Sequence, residues 1–158
     1  MVLMNMGTVG WPELREKQVS KVVRSEAGAT VVCLDWCGRE LKVGSVYAPS
    51  PPLKRVDFLR GMRHWVTMDM FLGGDWNCVP DVTLDVQSSD PTRYRNIGGE
   101  LLEEVMSGVG LWDFRRSQLE SEHEPTRIPL GAVRTRQGPD YVCTRLDRFY
   151  IPTEEQYE

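Results

Sequence analysis

No run of apolar residues in this sequence approaches the roughly 20 that a membrane helix needs, so a helical membrane span is not expected. The N-terminal stretch MVLMNMGTVGW is apolar but short, with neither a basic leader nor a small-residue cleavage site, and does not read as a signal peptide. Strong charge of one sign is missing too. The formal net charge of −4 sets up no global basic field, so any grip on nucleic acid has to come from a local group of arginines. Cysteine is sparse and scattered, at Cys33, Cys37, Cys78 and Cys143. No second Cys or His pair matches the Cys33–Cys37 spacing, which argues against zinc, and reduced, mostly buried thiols fit an intracellular protein. Histidine is limited to His64 and His123. Repeats and low-complexity tracts are absent.

What is present is ordinary globular chemistry: 41% hydrophobic and 27% charged residues in 158, enough for one domain with one sizeable core. Residues 1–28 form a poorly defined N-terminal segment in which Val19 to Arg24 suggests a short strand. Residues 29–152 read as the domain, and residues 153–158 as an acidic tail. ATVVCLDW, from Ala29, is β-branched and apolar, Cys37-Gly38 supplies a turn, and RELKVGSVYA alternates. The two predict an antiparallel hairpin stopped by PSPPL. Val56, Leu59, Met62, Trp65 and Val66 then lie on one helical stripe. DMFL reads as a short buried strand leaving through Gly73 and Gly74. A second helix begins near Ile97 with Leu101, Leu102, Val105 and Met106 inward, and Gly108 and Gly110 end it. LWDF is a small strand, residues 115–144 a long polar loop, and TRLDRFYI, Thr144 to Ile151, a final strand. Helices and strands interleave, but the first pair is a hairpin. That favours mixed α/β (α+β) with antiparallel pairing over a doubly wound parallel sheet.

Three motifs fall at strand ends: GSVYAP (Gly44 to Pro49), GGDWN (Gly73 to Asn77) and TRLDRFYI. Taken singly, each has a plain structural reading. GGDWN makes a glycine turn with an Asx cap, Tyr47 is a half-buried strand tyrosine, and Asp147 between Arg145 and Arg148 forms a surface ion pair of little worth. Trp36, Trp65, Trp76 and Trp112 read as core packing. Arg127, Arg134, Arg136, Arg145 and Arg148 could face a phosphate backbone or simply solvate a loop rich in glutamate.

Taken in order, these motifs and VGLWDFRR (Val109 to Arg116) resemble the endonuclease/exonuclease/phosphatase family, most nearly the endonuclease domains of non-LTR retrotransposons. The resemblance implies a four-layer α/β/β/α sandwich of two mostly antiparallel sheets, here incomplete, with the active site where strand ends converge. It implies metal-dependent phosphodiester hydrolysis with Mg²⁺, which neutralises charge on the phosphorane-like transition state and prefers oxygen ligands. By resemblance, Asp75 orients the attacking water and touches the metal. Asn77 holds the phosphate or the same metal, Tyr47 contacts the scissile phosphate, and Asp147 orients a catalytic histidine. Asp85 closes the loop after the motif in a structural role. The implied partner is nucleic acid, DNA rather than RNA, and no separate organic cofactor is implied.

The sequence also departs from the family. Asn5, Glu13, Glu16 and Glu26 do not stand in the family's asparagine or metal-glutamate contexts, and neither histidine follows a Ser-Asp pair. The chain therefore reads as an interior slice of such a domain, with impaired activity. Exposed sheet edges and one apolar face then predict marginal stability, self-association through the sheet edges or a dependence on flanking sequence. A non-catalytic nucleic-acid-binding or interaction domain, or a remnant without function, is the alternative.

Overall fold

A computed structural model describes residues 19–26, 28–36, 38–88, 90, 94–118, 125–129, 134–135, 138–139 and 142–153. Asn5, Glu13, Glu16, Cys37, His123, Arg136, most of the first segment and the tail beyond 153 lie outside the described residues.

The chain opens with strands β1 (Val19–Glu26), β2 (Ala29–Trp36) and β3 (Arg39–Tyr47), an antiparallel meander. Gly28 and Gly38, both at positive φ, make its turns, and the Gly38 N–H donates to Asp35 Oδ1 at 3.0 Å. The expected hairpin is present in register, with Ala29 opposite Val46 and Trp36 opposite Arg39. β1 extends the sheet back to Val19, before the boundary expected at residue 29, with irregularities between Val19 and Lys21 and between Val22 and Arg24.

Proline then ends the strand and starts a helix. Pro51 caps α1 (Pro52–Met62), and a proline fills the first turn, where a missing N–H is harmless. Leu59, Met62 and Val66 of the expected stripe are buried and Trp65 is partly so, although the helix itself ends at Met62. Arg55 is buried as well. Its guanidinium donates to the carbonyls of Ile97 (2.9 and 3.0 Å), Ser50 (2.9 Å) and Pro49 (3.3 Å), so one cation satisfies three loop carbonyls.

α1 returns the chain to the start of β4 (Met70–Asp75), which therefore lies parallel to β3. Asp81 caps α2 (Val82–Asp85) by accepting from the Thr83 and Leu84 N–H groups, and β5 (Val86–Gln87) follows. Then come α3 (Gly99–Ser107), β6 (Leu111–Asp113) and α4 (Phe114–Gln118). The stretch expected as one long loop also holds β7 (Arg134–Thr135) and β8 (Gly138–Pro139), paired with each other. The final strand is divided. β9 (Cys143–Thr144) pairs with β5, and β10 (Asp147–Pro152) enters the main sheet between β4 and β6.

The fold is thus α+β. Its main sheet has six strands in the order β1-β2-β3-β4-β10-β6, antiparallel except for β3–β4, beside two small two-stranded ladders. α1 and α3 cover one face of the main sheet. There Val31, Val46, Leu72 and Tyr150 meet Leu59, Met62, Leu102 and Met106. Trp76 is fully buried against Tyr150, edge to face at 5.2 Å, in the packing role its position suggested.

Candidate functional site

Three strands end at the same edge of the sheet. The register places Tyr47 of β3 beside Asp75 of β4, and Asp147 of β10 on the other side of Asp75. Adjacent strands lie about 4.8 Å apart and cross-strand partners share a face, so these three side chains form one row. Tyr47 is 61% exposed, more open than the half-buried strand tyrosine its alternation suggested, and Asp147 is exposed.

The two glycines before Asp75 have separate physical reasons. A Cβ on Gly74 would lie 1.8 Å from the Val46 carbonyl oxygen, so a side chain there would force β3 and β4 apart. A Cβ on Gly73 would lie 2.5 Å from the Phe149 ring, which lies across that gap.

After Asp75 the chain turns sharply. Asn77 has a positive φ of 52°, a conformation asparagine tolerates. Its N–H donates to Asp75 Oδ1 at 2.9 Å, the Asx turn of the plain structural reading. Its side-chain amide donates to the Ala48 carbonyl at 2.7 Å, while the Trp76 N–H donates to the Leu146 carbonyl at 3.0 Å. The turn therefore ties the ends of β3 and β10 to β4. That turn holds the three strand ends, and with them the polar row, together.

Beneath the row lies a buried ion network. Asp85 accepts from Arg116 (2.8 Å) and Arg145 (3.1 Å) and forms an ion pair with Arg148 at 2.8 Å. Asp113 accepts from Arg148 at 2.6 Å and from both terminal nitrogens of Arg145. The Arg145 N–H also donates to the Asp85 carbonyl at 3.0 Å. Burial pushes the Asp113 carboxyl up, but the Arg145 and Arg148 guanidiniums more than reverse this and hold it below the usual carboxylate range.

This network corrects the reading of Arg145 and Arg148 as surface partners of Asp147 or as contacts for phosphate. Both are buried, at 8% and 1% exposure. Successive residues of a strand face opposite sides, so Arg148 faces the covered side of the sheet with Tyr150 while Asp147 faces away. Asp85 has the structural role expected of it. Asp113 was not singled out from the sequence. The available signal was a set of charges embedded in apolar strands, in LWDF and TRLDRFYI, since charge is rarely buried unless paired.

Among the described residues, no three or more His, Cys, Asp or Glu side chains cluster as a metal site. Asp75 and Asn77 do offer hard oxygen, and among the described residues no group donates to Asp75 Oδ2. One or two carboxylates fit Mg²⁺, which usually keeps several waters and shares substrate phosphate. His64, the histidine among the described residues, follows α1 at the far end of the sheet from Tyr47, because α1 runs back toward the start of β4.

No family model and no curated protein matches the chain. The solved structures similar to it include two of the endonuclease/exonuclease/phosphatase type of fold. The endonuclease domain of TRAS1, a telomere-specific non-LTR retrotransposon, is 18% identical with a TM-score of 0.49, the match covering 82% of this chain and 52% of that one. TDP2 of D. rerio, complexed with a single-strand DNA product, is 15% identical with a TM-score of 0.44, covering 80% and 47%. The chain spans about half the length of each.

Proposed function

We propose that the row Tyr47–Asp75–Asp147, with Asn77, is the phosphate-handling corner of a metal-dependent phosphodiesterase site. It is endonuclease-like, of retroelement type, and directed at nucleic acid with DNA preferred over RNA. The observation that carries this reading is the convergence of these four residues on one sheet edge from three separate motifs. Asp75 and Asn77 would hold Mg²⁺, which when bound supplies positive charge against the phosphate. Asp75 orients and deprotonates a water. The Tyr47 hydroxyl, exposed at the row's end, donates to a phosphate oxygen without repelling it. In such a site Asp147 would orient a histidine, and among the described residues the histidine, His64, stands at the opposite end of the sheet.

Members of such a set act as a unit, so this chain by itself has weak or no turnover. The test pairs two measurements on the purified chain, Mg²⁺-dependent plasmid nicking and oligonucleotide binding with and without Mg²⁺. The expected result is little nicking, together with Mg²⁺-strengthened binding that Asp75→Ala removes. Robust nicking lost in Asp75→Ala would overturn the impairment. Binding indifferent to both Mg²⁺ and Asp75 would favour a non-catalytic binding domain. No binding and no nicking would leave a remnant without function.

A further inference from the structure

Asn77 is held by more than the strand ends around it. Its side-chain amide donates to the Ala48 carbonyl at 2.7 Å, and Pro49 and Ser50 follow that carbonyl directly. Arg55 of α1 donates to the carbonyls of both Pro49 and Ser50 and, through Nε and Nη2 together, to that of Ile97. The next link starts one residue before Ile97. Asn96 donates from Nδ2 to the Val79 carbonyl at 2.7 Å and accepts from the Val79 N–H at 3.4 Å. Val79 stands just beyond Asn77 in the chain, so these contacts close a ring that returns to Asn77.

Two glycines let the ring close. Gly98 has a φ of 101°, and a Cβ there would lie 3.2 Å from the Leu59 side chain and 3.5 Å from Arg55 Nε. A Cβ on Gly99 would lie 1.9 Å from the Val79 carbonyl oxygen and 2.3 Å from Asn96 Nδ2. Arg55 is buried, and among the described residues no carboxylate pairs with it, unlike Arg145 and Arg148. Burying a guanidinium against neutral carbonyls alone is costly. An apolar side chain would pack this face of α1 without that cost. What Arg55 adds is a planar fork of fixed donors that holds two loops at once.

We propose that Arg55 and Asn96 are positioning residues of the phosphate-handling corner, a proposal that rests on the reading of Asp75 and Asn77 given above. Both act through Asn77, and neither belongs to the polar row. Arg55 fixes the chain that presents the Ala48 carbonyl, and Asn96 fixes the chain that leaves Asn77. With Nδ2 committed to Ala48, the orientation of Asn77 Oδ1, the oxygen offered to Mg²⁺, follows from that tie. Removing groups that orient a metal ligand from behind costs about 10–100-fold in metal affinity.

The test combines amide hydrogen exchange with oligonucleotide binding of the full chain, with and without Mg²⁺. Arg55→Lys keeps the charge and loses the fork, while Asn96→Ala loses both bonds to Val79. In each, the Asn77 N–H, held by Asp75 Oδ1, should exchange about tenfold faster or more while the β2 amides keep their rates. The Mg²⁺-dependent gain in affinity should fall about tenfold while Mg²⁺-independent binding is kept. Asp69→Ala, which breaks the ion pair with Lys42 at the other end of the sheet, should move neither. Should Arg55→Lys fail to fold, Asn96→Ala, at a half-buried loop position, carries the same test. Unchanged Asn77 exchange in the folded variants overturns the proposal. So does a loss shared by the β2 amides and by Mg²⁺-independent binding, which would make both residues general supports of the fold. A wild-type chain with no Mg²⁺-dependent gain overturns the phosphodiesterase reading instead, and the Asn77 exchange rate still decides whether Arg55 and Asn96 position that turn.

Discussion

At Asp75 one carboxylate oxygen holds the Asn77 N–H, and the other accepts no hydrogen bond among the described residues. Asp147 stands directly opposite across the β4–β10 pair. Like charges in that arrangement repel, by about 0.2–1 kcal/mol where nothing neutralises them. Asp75→Asn keeps an oxygen for the turn and removes the repulsion. It is therefore expected to leave the fold intact and raise stability by about 0.2–1 kcal/mol, read from urea melts without divalent metal. The same change should abolish any Mg²⁺-dependent strengthening of oligonucleotide binding. A residue kept at a cost to stability is what a working site requires, and a loss of stability in Asp75→Asn would mark the carboxylate as structural. Burial pushes the Cys78 thiol up to about 11, beyond easy reaction at neutral pH.

At the scale of elements, the buried network joins α2, β6, α4 and β10 through charge. Asp85→Ala would strip a partner from Arg116, Arg145 and Arg148 at once. Breaking a buried ion network from one side costs about 3–5 kcal/mol, so this variant should show a correspondingly lower urea midpoint or fail to fold. Acid should act on the same joint. The Asp113 carboxyl is lower in the folded chain than in the unfolded one, so protons bind the unfolded state preferentially. Its contribution is complete above the unfolded value of about 3.9. It is lost as pH falls through the lower folded value. Stability followed from pH 6 to pH 2 should therefore fall below about pH 4, and Asp113→Asn should flatten that fall. Asp147 plays no part in the network, because strand alternation turns it to the other face.

For the whole molecule, charge limits how nucleic acid can be held. The net charge is −4, and two of the five arginines considered as phosphate contacts are buried in ion pairs. Oligonucleotide binding should thus depend weakly on salt. A slope of log K against log salt shallower than about −3 corresponds to about three phosphate contacts or fewer. A steep slope would reveal a further basic surface on the chain. The sheet has the same two-sided character. One face is closed by α1 and α3, and the other presents apolar side chains up to the row that carries Asp75.

The sequence by itself determined the elements whose cause is local. Alternation and Gly38 defined the hairpin, proline ended β3 and opened α1, and apolar spacing placed both main helices. It also determined that Tyr47 and Asp75 stand at strand ends, since proline closely follows the one and glycine precedes the other, whereas Asp147 reads as interior to TRLDRFYI until that segment divides into β9 and β10. Only the tertiary structure decided that these three form one row, because register between strands distant in sequence is set by packing and hydrogen bonding rather than by neighbours along the chain. The same holds for Arg145 and Arg148. Their setting in an apolar strand hints at burial but names no partner, and Asp85 and Asp113 reach them only once β10 is inserted between β4 and β6. Long-range pairing of charge is thus invisible to periodicity, whereas turns and amphipathic stripes are written in adjacent residues.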